Sequence, residues 1–265
     1  MRPPVLHFLS KDIELQLQKT PLQLPEAYRE KVRRYWQDVN RDGRFFNGSV
    51  LAAAEVDFHP PRNIATLATT DYAHYLYATQ DRTHEFDCKA VYAAAVLATA
   101  DEHLLLGRMA GHTSSPGQLQ FPGGGIEVGA DLQIDARSCC EREIIEEIGL
   151  PIWQERTAVS PFCIKTGGDF STVGIFYLVR LNWTAAGILD MFSRHQAQTV
   201  ALGERPEFDE LLALKLEKDL VRLFVEQHDA SLVDYLRLVL IDQFDRLRLA
   251  VGQLDQAAAS SRTIA

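Results

Sequence analysis

FPGGGIEVGADLQIDARSCCEREIIEEIGL, Phe121 to Leu150, is the stretch from which the rest of the chain can be read. Its second half has helical spacing from Asp135 to Ile148 and is stopped by Gly149 and Pro151. On such a helix Glu143, Glu146 and Glu147 stand at i, i+3 and i+4 and share one face, with Glu141 elsewhere around it. Ile144, Ile145 and Ile148 fall roughly opposite, as a face for burial against a sheet. Like charges at i, i+4 repel by a few tenths of a kcal/mol, so the set calls for positive charge. Mg²⁺ suits it, being a hard cation that takes oxygen ligands and is often shared with substrate phosphates. Taken alone, EREIIEE is a solvated acidic face and Arg142 an ordinary i+4 partner for Glu146. The first half changes that reading. Gly123, Gly124 and Gly125 follow Pro122 at the end of a strand, and three glycines let backbone groups approach a metal or a phosphate without steric conflict.

Outward from this segment the chain alternates strands and helices. Upstream, Ala90 to Thr99 is an apolar run fit for a buried strand, and His103 to Met109 is its hairpin partner across Asp101-Glu102. Downstream, Ala158 to Lys165 and Thr172 to Leu181 read as strands around Gly167-Gly168-Asp169. Thr184 to Gln196 reads as a helix and Phe208 to Leu216 as a last strand. From Glu217 to Val251 the pattern is helical, with a break near His228 to Ala230. In the first third, Pro25 to Asn40 reads as a helix with Pro in its first turn. Ser49 to Phe58 and Asn63 to Thr70 read as strands joined by His59-Pro60-Pro61, and Tyr72 to Thr79 as a short helix. Residues 1–24 read as an irregular lead-in. The order predicts an α/β, α+β layered fold: a mixed sheet with helices on its faces.

Composition narrows the function. The 265 residues carry a formal charge of −9 and no basic block, which argues against gripping a nucleic-acid backbone. No apolar run is long enough to span a membrane, and the N-terminus lacks the apolar core of a signal peptide. Cys88, Cys139, Cys140 and Cys163 lack zinc-site spacing and read as reduced, buried thiols of a cytoplasmic protein. His103, His112 and His195 show no metal-ligand spacing.

Arg142 to Leu150, REIIEEIGL, resembles the second part of the Nudix box at every specified position, and PGGGIEVG, Pro122 to Gly129, resembles its opening. Twelve residues separate Gly129 from Arg142, four more than the box has, so Ala130 or Asp131 falls where its first glutamate stands. The resemblance implies a Nudix-type α/β/α sandwich over residues 88–230, an N-terminal α+β extension over 1–87, and a C-terminal helix and tail over 231–265. It implies that Glu143, Glu146 and Glu147 bind Mg²⁺ or Mn²⁺, with the backbone carbonyl near Gly124 as a further ligand, and that Arg142 orients the glutamates. The implied reaction is hydrolysis of a phosphoanhydride bond in a nucleoside diphosphate linked to another group, releasing a nucleoside monophosphate.

Within that frame Glu146 and Glu147 are candidate bases, as is Glu207 in the loop before the last strand; Glu204 shares that loop, and Asp169 lies in the hairpin turn. Arg108, at a strand end before the glycine loop, and Gly123 and Gly124 are the candidate phosphate contacts. Phe45, Tyr72, Tyr75 and Tyr77 are available to stack on a base, though core packing is the commoner fate of such rings. FFNGSVLAAAEV, Phe45 to Val56, is similar to the extension of nucleotide-sugar enzymes such as the UDP-glucose pyrophosphatase group, which points to a nucleotide sugar or ADP-ribose. SSPGQLQFPGG, Ser114 to Gly124, is similar instead to coenzyme A diphosphatases, although Ser115 stands where that group has histidine. A catalytically silent nucleotide-binding regulator is the other alternative, against which REIIEE stands intact. Leu232, Leu236, Val239, Leu240 and Phe244 at helical spacing offer either core packing or the face of a homodimer.

Overall fold

The computed structural model describes residues 3–43, 45–59, 62–129, 133–151 and 158–263, with side chains through residue 254. It divides into two compact units, one of residues 1–93, 125–139 and 163–175, the other of 94–124, 140–162 and 176–265.

The first unit holds a three-stranded mixed sheet. Strand β2 (Glu14–Leu17) runs parallel to β4 (Ile64–Asp71), which pairs antiparallel with β3 (Ser49–Asp57). Helices α1 (Glu26–Val39) and α2 (Tyr72–Gln80) pack through Tyr28, Val32 and Ala73, with Trp36, Tyr77 and Phe86 against them. Strand β1 (Val5–Phe8) pairs antiparallel with the end of β9 (Ala158–Thr166), Phe8 opposite Cys163. The expected irregular lead-in is thus corrected: it contains β1 and β2. Each is four residues long and partly exposed, too short to show a pattern, and each gains its stability from the strand beside it.

The larger sheet runs β1-β9-β10-β5-β6-β11, where β5 is Val91–Ala98, β6 His103–Met109, β10 Val173–Arg180 and β11 Phe208–Lys215. Backbone bonds from Val173 to Ala90 and from Leu181 to Ala98 show β10 and β5 running in the same direction, whereas β6 pairs antiparallel with β5 and β11. The mixed sheet expected from the sequence is therefore present. All eight residues of β10 and all but Tyr92 of β5 are buried, the condition under which strands read as unbroken apolar runs. The strand expected before the glycine turn is β7 (Leu119–Gln120), paired with β6, whereas β8 (Gly123–Gly125), on β5, has no counterpart in the sequence pattern.

In the second unit, helices α4 (Ala185–Ala201), α5 (Lys218–His228) and α6 (Phe244–Thr263) follow, with a π-helical turn at Leu238–Asp242. Leu236, Val239, Leu240 and Phe244 are buried in the chain's own core. Leu232 bridges Leu119 in parallel, and the Val233 amide donates to the Leu119 carbonyl at 3.2 Å. Tyr235 then stacks on Phe121 and accepts a hydrogen bond from the Phe121 amide at 3.1 Å. Residues distant in sequence thereby support the chain entering the glycine turn.

Candidate active site

Helix α3 (Ala136–Ile148) is built as its sequence dictates. Asp135 caps it, its carboxylate accepting from the amides of Arg137 and Ser138 at 2.9 and 3.1 Å. Gly149 ends it at φ 75°, a conformation that favours glycine. Ala130 and Asp131, the positions in register with the first glutamate of the box, lie outside the described residues.

The buried face of α3 differs from expectation. Ile144 and Ile148 are fully buried, but Ile145 is 37% exposed, while Glu147 is only 6% and Glu141 only 4% exposed. Helical geometry alone leaves the two even, since positions 145 and 147 lie equally far to either side of the line through 144 and 148; the structure packed beside α3 covers the side that carries Glu147. The three box glutamates therefore form a gradient, with Glu146 exposed, Glu143 mostly covered and Glu147 enclosed.

The glycine turn meets this gradient. The Gly123 amide donates to one oxygen of Glu147 at 2.8 Å. The other oxygen, Oε1, is buried with no hydrogen-bond partner. A Cβ on Gly124 would come within 2.5 Å of the Glu143 carboxyl carbon, so the bare backbone leaves room for that carboxylate where it now stands. Arg142 reaches Glu143 at 2.9 Å and Glu146 at 3.8 Å. Burial holds the Glu147 carboxyl well above the ordinary range, and the charges of Glu207 and Glu143 add to it. Burial also raises Glu143, against the pull of Arg142 and with the push of Glu146 and Glu207. The loop carboxylate of Glu207 thus faces the same cluster as the helix set.

Among the described residues no three His, Cys, Asp or Glu side chains converge as a finished metal-ligand set. Arg142 draws Glu143 toward itself and Gly123 draws Glu147. The carboxylates are close enough to repel and remain apart. Their chemistry fits a divalent ion nonetheless: an enclosed carboxylate oxygen without a partner, backbone approach at Gly124, and several acids competing for positive charge.

Other expected residues have partners or surroundings of their own. Arg108 is occupied, its Nε on Glu210 at 2.9 Å and its Nη1 on the Gly117 carbonyl at 3.4 Å. Glu204 is exposed, as is Asp169 in the first unit. Phe45, Tyr72, Tyr75 and Tyr77 pack in a ring network with Trp36, Tyr28 and Tyr35. All four cysteines are buried and free of disulfides, and no helix among the described residues is long and apolar enough to cross a membrane. His195, set aside on spacing as a metal ligand, instead has its Nε2 2.7 Å from the Glu146 backbone carbonyl. No spacing rule for side-chain ligands detects such a contact.

The family model of the NUDIX domain matches residues 89–223, just over half of the chain. The chain belongs to the Nudix family, and by that membership it is a pyrophosphohydrolase acting on nucleoside diphosphate-linked compounds, a class that generally uses divalent metal ions. No curated protein matches it. Among solved structures it is similar to the Nudix domain of Shewanella oneidensis NrtR complexed with ADP ribose, at 16% identity and TM-score 0.40, covering 68% of this chain and 99% of that one. DR0079 from Deinococcus radiodurans matches at 16% identity and TM-score 0.39, over 57% of this chain and 80% of that one. A bifunctional NMN adenylyltransferase/ADP ribose pyrophosphatase from Francisella tularensis, complexed with AMP and a Mn ion, matches at 11% identity and TM-score 0.40, over 66% and 46% of the two chains.

Proposed function

We propose that this enzyme hydrolyses the phosphoanhydride of a nucleoside diphosphate joined to a sugar, with UDP-glucose or ADP-ribose as the representative substrates, and that it requires Mg²⁺ or Mn²⁺. The observation that carries the reading is the enclosed Glu147 carboxylate, half bonded to Gly123 and pressed by the charges of Glu207 and Glu143. A buried acid among like charges is costly unless positive charge joins it.

Glu143, Glu146, Glu147 and the Gly124 carbonyl are the groups that would hold the ion. Bound there, it supplies Lewis acidity to the diphosphate oxygens and lowers the pKa of a water. The chain's own groups do the rest. Arg142 steadies Glu143 and Glu146. The Gly123 amide fixes the orientation of Glu147. Glu207, on a separate loop, takes the proton from the attacking water in this reading, with Glu146 and Glu147 as the other candidate bases. Residues 1–87 form the extension, 88–230 the catalytic domain and 231–265 the C-terminal addition.

The test is a product screen: purified protein with Mg²⁺ or Mn²⁺ against nucleotide sugars, ADP-ribose, dinucleoside polyphosphates, coenzyme A and nucleoside triphosphates, with products identified by mass. Metal-dependent release of a nucleoside monophosphate from a nucleotide sugar or ADP-ribose is expected. Turnover of triphosphates alone, with release of pyrophosphate, would overturn the substrate class.

A further inference from the structure

We infer that His195 and Gln196, neighbours on α4, are positioning residues that clamp two carboxylate-bearing segments of the site to one helix. The inference rests on the reading of Glu146 and Glu207 as working carboxylates.

The last carbonyls of a helix have no partner within it. In α3 the Gly149 amide takes the Ile145 carbonyl at 2.9 Å. The next carbonyl, that of Glu146, receives His195 Nε2 at 2.7 Å. A carbonyl only accepts, so the imidazole carries its proton on Nε2. The ring also fills the space above the turn: a Cβ on Gly149 would lie 2.5 Å from His195 Cγ and 2.6 Å from its Cβ. Gly149 thus satisfies two demands, a left-handed backbone and room for an imidazole.

The adjacent side chain reaches the other segment. Gln196 Nε2 donates to the Phe208 carbonyl at 2.6 Å, one residue beyond Glu207. Helix α4 is itself firmly placed. Thr184 caps it, its hydroxyl accepting from the Gly187 amide, and Ile188 and Phe192 are buried beneath it. Consecutive residues of one anchored helix therefore hold the backbone of Glu146 and the backbone beside Glu207. Small displacements of reacting groups are expensive, on the order of 10²-fold per ångström, so a clamp acting through main chain can govern rate without touching substrate.

The experiment compares H195A, H195Q, Q196A and the double variant H195A/Q196A, each checked for native circular dichroism. The glutamine amide places a donor near the position of imidazole Nε2. H195A is expected to lower kcat by about tenfold or more with KM within about twofold, and H195Q to recover most of the loss. The double variant is expected to lose less than the product of the single losses, since either release already frees one segment from the other. Amide hydrogen exchange of the peptide spanning residues 143–150 gives a readout without substrate: faster in H195A, restored in H195Q. Unchanged kcat and exchange in H195A would overturn the clamp. So would equal loss in H195A and H195Q, since the ring would then act by shape alone. If wild-type protein turns over none of the screened compounds, the substrate reading fails while the exchange comparison still decides whether His195 holds α3.

Discussion

Gly123 gives its backbone amide to one oxygen of Glu147 at 2.8 Å, and the second oxygen of that carboxylate is enclosed without a hydrogen-bond partner. Fold and function make opposite demands on this side chain. Glu147→Gln keeps an acceptor for Gly123 and removes the buried charge. In the absence of metal it is expected to raise Tm, while kcat falls by roughly 10²-fold or more. Thermal unfolding in chelator and steady-state rates at saturating Mg²⁺ check both halves. A variant less stable than wild type in chelator, or within threefold of its rate, contradicts the account.

The raised carboxyls of Glu147 and Glu143 also set a pH dependence. Their folded pKa values lie above the unfolded ones, so the native state holds protons that the unfolded chain has released. Their contribution is fully favourable below the ordinary carboxylate range and is lost as pH rises through the folded values. In chelator, stability is expected to decline through these two groups as pH rises above the ordinary carboxylate range. Added Mg²⁺ or Mn²⁺, which binds only the ionised set, is expected to raise Tm more at the alkaline end. Equal metal-induced shifts across the range would exclude the linkage.

Gly124→Ala tests the glycine turn. The new methyl would meet only the end of the Glu143 side chain, which can swing aside. Stability is expected to change by less than about 1 kcal/mol, whereas activity falls at least tenfold as the carboxylate is displaced. Urea unfolding and metal titration of the activity distinguish this from a general loss of structure.

A second, independent pH effect comes from His74 in the first unit. It is 1% exposed, with Nε2 donating to the Phe86 carbonyl at 3.0 Å and Nδ1 accepting from Thr70 at 2.9 Å. Burial depresses its pKa below the usual 6.5, so the unfolded chain protonates first. This contribution is complete above that value and is lost as pH falls toward the folded one. The stability difference in urea between wild type and His74→Gln is expected to shift against wild type as pH falls from about 7.5 to 5.5. The sign is opposite to that of the glutamates over an overlapping range, so it is the difference between the two proteins, with the glutamate effect common to both, that isolates His74.

Tyr235→Phe removes the acceptor for the buried Phe121 amide. A cost of about 1–3 kcal/mol in urea unfolding is expected, with metal affinity retained because no acid is touched.

What the sequence discloses, and what it conceals, follows from the range of the forces involved. The acidic helix, its start at Asp135 and its Gly149 stop were legible because each depends on residues within a turn of one another. Strands β5 and β10 were legible because burial on both faces leaves an unbroken apolar record. Strands β1 and β2 were not, since their partners lie far along the chain. The depth of Glu147 was also hidden: i, i+3, i+4 spacing shows which side chains share a face, but a neighbouring sheet decides how far that face sinks, and here it took Glu147 in and left Ile145 out. The His195 contact escaped because it is made to a backbone carbonyl, which carries no residue identity.

The bridge between Leu119 and Leu232 bears on the order in which the molecule assembles during translation. Strand β7 and the glycine turn emerge from the ribosome well before the segment that braces them. A nascent chain can therefore complete its acidic helix while the turn opposite it still lacks support, and hydrolytic competence waits on residues more than a hundred positions downstream.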